Sequence, residues 1–135
     1  MSSKVGLWID HRQAFIVYLS RDDVTTKTIP SNMEKHVRAS GGSRSSTIYG
    51  PQDIVAEDRI YRKYKHHLDQ YYEEVARALR GVNLILIMGP GEAKGELKKH
   101  LLKPGHSPKA AIMIETTDKM TEPQIIAKVK RHYSD

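Results

Sequence analysis

The sequence predicts an α/β fold, a mixed five-stranded sheet with helices packed on it. Three observations predict it. Three short strand-like runs joined by tight turns fill the first 30 residues. Two later runs are almost continuously apolar, as strands buried on both faces are. Three other segments carry apolar residues every three to four positions, the helical period.

The elements follow in order. "KVGLWID" (Lys4 to Asp10) is apolar and strand-like. Asp10 and "HRQ" make a tight connection, a place where Asp serves as a turn residue. "AFIVYL" (Ala14 to Leu19) is β-branched and aromatic, hence a second strand. "VTTKTI" (Val24 to Ile29) alternates, hence a third with one wet face. Pro30 ends this meander. From Ser31 to about Ala56 no period holds, and the segment reads as a mobile basic loop rich in Ser and Gly.

A long helix is expected from about Glu57 to Leu79, with Ile60, Tyr64, Leu68, Tyr71 or Tyr72, Val75 and Leu79 as its stripe. Cations crowd its predicted front half, which the helix dipole disfavours, so they read as serving a partner. Gly81 suits the helix stop. "VNLILIM" (Val82 to Met88) reads as a central strand, and Glu92 to about Leu102 as a helix. "AAIMIET" (Ala110 to Thr116) reads as another central strand. Thr121 is a good N-cap for a last helix with Pro123 in its first turn and Ile125, Ile126, Val129 and Tyr133 on its apolar side. The order β-β-β-α-β-α-β-α in a single domain, residues 1–135, is the ribonuclease H-like arrangement.

Composition narrows the chemistry. A 39% apolar content supports a folded core, and a net charge of +6 favours an anionic partner, nucleic acid first. There are no cysteines, which excludes disulfides and thiolate metal sites. No run approaches the ~20 apolar residues of a membrane helix. No signal peptide is read at the start, so a cytoplasmic protein without membrane contact is expected. Neither cofactor nor metal is read. "GPGEAKGEL" lacks the Gly-Lys pair and following Ser or Thr of a phosphate-binding loop. The seven histidines show no paired helical spacing beside an acid. A two-metal nuclease needs converging carboxylates. Asp10 ends the first strand, but the fourth carries no acid.

Three stretches carry a family resemblance: "VGLWIDHRQAFIVYL", then "SGGSRS" before "RIYRKYKHHLDQYYEEVARAL", then "LILIMGPGEAKGEL". By these and by element order the chain resembles the middle domain of archaeal and eukaryotic class-1 peptide-chain release factors and of Pelota, and the small bacterial and archaeal proteins related to it. The resemblance implies a translation-related, ribosome-associated role. In release factors the loop before the long helix carries Gly-Gly-Gln and promotes peptidyl-tRNA hydrolysis. Gly41 and Gly42 match the glycines, and Ser43 stands where the glutamine would be. Pelota-like proteins lack the tripeptide and bind ribosomes without releasing peptide.

The resulting expectation is a ribosome- or RNA-associated factor, in termination or ribosome rescue. Arg38, Arg44, Arg59, Arg62, Lys63 and Lys65 would contact RNA phosphates by counterion release. The alternative is a peptidyl-tRNA ester hydrolase with Gly41, Gly42 and Ser43 at its tip, Ser43 or water held by backbone amides replacing the glutamine. A third reading is a non-catalytic homodimer assembled through Tyr61, Tyr64, Tyr71 and Tyr72, which give the long helix more aromatic area than one core face requires.

Overall fold

The structure is a computed structural model that describes residues 4–21, 23–31, 51–106 and 109–134, with the side chains of 51–61 outside the description. Three strands form first: β1 (Lys4–Ile9), β2 (Gln13–Leu19) and β3 (Val24–Pro30). Helix α1 (Pro51–Ala78) follows, then β4 (Leu84–Gly89), α2 (Ala93–Leu101), β5 (Ala111–Thr116) and α3 (Glu122–His132). The sheet order is β3-β2-β1-β4-β5. β1, β2 and β3 pair antiparallel, whereas β4 lies parallel to β1 and β5 parallel to β4. This is the α/β, ribonuclease H-like arrangement expected from the order of elements.

The period-two alternation of the strands divides the core into two layers. Leu7, Ile9, Ile16, Ile85 and Ile87 point to one face and pack under α1 and α2. Trp8, Phe15, Val17, Leu86 and Met88 point to the other, where Ile125 and Val129 of α3 cover them. β4 is buried on both faces, as its unbroken apolar run requires. α3 comes close to the sheet at Gly6, where a β-carbon would overlap the Val129 side chain. Thr121 and Gln124 cap α3 reciprocally through backbone N–H groups, at 3.3 and 2.9 Å.

Four expectations are corrected. β5 is an edge strand, not a central one. Met113 is 58% and Ile114 40% exposed, because α3 crosses back over β1 and β2 and leaves the far margin of the sheet uncovered. α1 starts at Pro51, six residues before the expected Glu57. Pro is favoured in a first turn, where its missing N–H has no partner to lose. With that start, Asp53, Glu57 and Asp58 occupy the first turns and Arg77 the last. The charge order therefore suits the helix dipole instead of opposing it. The cations downstream lie beyond the first turn and carry no dipole cost.

The third correction concerns the segment read as a loop over 31–56. Its described ends are structured: 51–56 belong to α1, and Ser31 is buried, its N–H donating to the Arg12 carbonyl at 2.8 Å and its hydroxyl to the His11 carbonyl at 2.6 Å. The fourth concerns the tyrosines expected to assemble a dimer. Tyr71 and Tyr72 are both buried in this chain's own core, and Tyr64 packs against that core. The Tyr61 side chain lies outside the described residues.

Candidate nucleic-acid interface

The solvent face of α1 carries the described cations. Arg62, Lys63 and Lys65 are all exposed. Arg62 and Lys65, three apart, share a strip of the helix, and Lys63 lies about 100° further round than Arg62. Arg59 falls within α1, but its side chain lies outside the described residues, and so do Arg38, Gly41, Gly42, Ser43 and Arg44. The structure thus brings two of the six expected RNA contacts, Arg62 and Lys65, onto one strip.

The opposite side of α1 fixes the strip in place. Tyr71 donates its hydroxyl to the Asp10 carbonyl at 2.9 Å, tying the helix to the β1–β2 turn. The Asp10 carboxylate itself accepts from the Arg12 and Gln13 N–H groups, at 2.8 and 2.9 Å. That is the turn role expected of it. Tyr72 donates its hydroxyl to Glu96 of α2. Burial first, then the hydrogen bond to Glu96 and its charge, push the Tyr72 phenol far above its ordinary range. Tyr72 therefore remains a donor and holds α1 and α2 together.

Between the two helices runs a cleft of about 440 Å³. Tyr64, Lys65 and Asp69 of α1 form one wall, and Lys99, His100 and Lys103 from α2 and its C-terminal end form the other. At this cleft two histidines meet two carboxylates. His100 Nε2 stands 3.5 Å from Asp69 and its Nδ1 3.7 Å from Glu73. His106 Nε2 is 2.9 Å from Glu73. The Nδ1 atoms of His100 and His106 are buried without a hydrogen-bond partner. Burial raises the Glu73 pKa, but the His106 hydrogen bond and the charges of His106, His100 and Lys103 outweigh it and hold the carboxyl below its ordinary value.

This constellation was not visible in the chain. Asp69 and Glu73 are four apart on one helix, a signal that could have been read. His100 and His106 come from another helix and the turn after it, and only the packing of α2 on α1 places them there. Among the described residues, no three His, Asp or Glu side chains are grouped so as to hold a metal ion.

The glycine-rich turn after β4 has a packing role. A β-carbon at Gly89 would overlap the Ile9 carbonyl oxygen of the adjacent strand. Lys94 folds back and donates to the Gly91 carbonyl, so its ammonium is committed to the turn.

In fold, the chain is a domain of the kind found in Pelota proteins. The Pelota protein of Thermoplasma acidophilum superposes with a TM-score of 0.53 at 13% identity, covering 96% of this chain and 32% of that one. Pelota of Archaeoglobus fulgidus gives 0.56 at 15% identity, covering 97% of this chain and 31% of that one. An archaeal translation termination factor gives 0.45 at 12% identity over 96% of this chain and 34% of that one. The chain therefore spans about a third of the length of the solved structures it matches. No family model matches it, and no curated protein matches it in sequence. Among the described residues, no helix is long and apolar enough to cross a membrane.

Proposed function

We propose that this chain is a ribosome- or RNA-associated, translation-factor-like domain that binds RNA phosphates through the exposed face of α1. The observation that carries the reading is the strip of solvent-facing cations, Arg62 and Lys65, with Lys63 exposed on the next part of the helix surface, on a helix locked to the sheet beneath. Such cations lower the free energy of a bound phosphate chain by releasing its counterions and read no base. The net charge of +6 supplies long-range attraction. The fold shared with Pelota and the resemblance of the "SGGSRS" and "RIYRKYKHH" stretches to the release-factor middle domain support the ribosome as the RNA-bearing partner. A role in termination or rescue belongs to the same reading.

Sedimentation through a cushion with ribosomes, at low and at high salt, tests it. Co-sedimentation at low salt that falls steeply as salt rises is expected. Lys63→Glu should weaken it with the melting temperature unchanged, since the residue is exposed. No co-sedimentation even at low salt removes the reading.

A further inference from the structure

The cleft between α1 and α2 has features that the exposed cations of α1 do not use. Its cations come from two helices: Lys65 from α1, Lys99 from α2 and Lys103 from the turn after it. Lys65 and Lys99 form no ion pair or hydrogen bond with a described residue. The two carboxylates on the walls are already engaged. Glu96 accepts from Tyr72 and lies 3.4 Å from His11 Nε2, and Asp69 faces His100 Nε2 at 3.5 Å. On the walls, three ammonium groups outnumber these two carboxylates.

The cleft also has a floor and a platform. His100 is 8% exposed and lies between the two helices, its Nδ1 without a hydrogen-bond partner and 3.7 Å from Glu73. Tyr64 stands on the wall half-buried, with His11 packed edge-on to its ring at 6.5 Å. A half-exposed ring beside converging ammonium groups is what single-stranded nucleic-acid sites combine, stacking next to a phosphate. The space of about 440 Å³ lies in the size range of small-ligand sites, ~300–1,000 Å³.

We infer that the α1–α2 cleft is a single-strand RNA site, in which Lys65, Lys99 and Lys103 hold a backbone phosphate and Tyr64 stacks on the adjoining base. The inference rests on the proposed RNA-binding function and extends it from the surface of one helix to a two-walled site. Lys65 belongs to both. It is the link by which a strand lying along α1 enters the cleft.

The test is a titration of the full chain with an oligouridylate of about ten nucleotides, followed by amide and aromatic NMR shifts. A parallel arm uses inorganic phosphate. Expected are saturable shifts at Tyr64, Lys99 and Lys103 with the oligonucleotide and none with phosphate at the same concentration. The double variant Lys99→Glu, Lys103→Glu should bind about tenfold more weakly or worse. Its log-affinity against log-salt slope should be shallower by roughly 1.4, two single-strand contacts at about 0.7 each. Both side chains are exposed, so the variant should stay folded, its melting lowered only by the loss of the Lys103 charge near Glu73. Oligonucleotide shifts that miss the cleft overturn the site, as does unchanged affinity in the double variant. Equal shifts with inorganic phosphate overturn RNA as its occupant. Ribosome co-sedimentation with a silent cleft would leave the proposed function standing and remove the site. Cleft binding without co-sedimentation would leave the RNA site standing and remove the ribosome as the partner.

Discussion

Glu73 shows how one side chain acquires a role its neighbours in sequence do not announce. It is one of two adjacent glutamates on a charged helix, and its four-residue spacing from Asp69 is all that the sequence offers to separate it from Glu74. In the structure it receives His106 at 2.9 Å and has His100 at 3.7 Å, whereas Glu74 is exposed. Burial opposes its charged form, and the His106 bond with the charges of His106, His100 and Lys103 more than offsets that. A carboxyl held below its ordinary value of 4.5 contributes stability above that pH. The contribution disappears as pH falls through the lower folded-state value. Glu73→Gln should therefore be less stable than the parent at neutral pH, and the difference should close on acidification below about 4.5. Urea unfolding at a series of pH values measures it. A difference that persists at pH values where the parent's carboxyl is protonated would mean that packing, not charge, holds the cluster.

Among the elements, the turn from β4 into α2 separates two kinds of glycine. Gly89 lies against the Ile9 carbonyl, and a β-carbon there has no flexible neighbour to displace. Gly91 has open space around it. Gly89→Ala should cost about 1–3 kcal/mol, the usual penalty of overpacking. Gly91→Ala should stay within about 0.5 kcal/mol, as exposed substitutions do. Denaturant midpoints at constant slope report both. Equal effects would contradict the close approach of β1 and β4. In sequence the glycines of "GPGEAKGEL" look alike, because what distinguishes them is a strand some 80 residues earlier.

Across the whole molecule, the sheet places two similar runs in opposite environments. "LILIM" and "AAIMI" each consist of four aliphatic residues, two of them Ile, and one Met. β4 has strands on both sides and helices on both faces, so Met88 is fully buried. β5 has one neighbour, and Met113 is 58% exposed. Met88→Ala should cost about 2–5 kcal/mol through the cavity it leaves. Met113→Lys should change stability by no more than about 0.5 kcal/mol, and a charge on an edge strand also opposes edge-to-edge pairing. Thermal unfolding of the pair decides: a large loss in Met113→Lys would place β5 inside the sheet.

Local patterns in this chain specify the elements, because helix and strand periods, caps and turns are properties of neighbouring residues. Thr121 with Gln124 forms its capping box, Gly81 takes a positive φ of 82° at the helix stop, and Asp10 closes its turn. The stripe from Leu68 to Leu79 is buried as its period requires. The order of these elements was enough to anticipate the sheet, since short connections favour antiparallel neighbours and crossover helices favour parallel ones. Long-range placement settled the rest. The exposure of β5 depends on which strands α3 covers. The burial of both Tyr71 and Tyr72 depends on the β1–β2 turn and α2, which supply their hydroxyl partners. The α1–α2 cleft exists because two helices, each with an unremarkable scatter of lysines, pack side by side on one face of a sheet. Contacts between residues far apart in the chain leave no period in the sequence, and it is those contacts that bring the cations and histidines of the candidate site together.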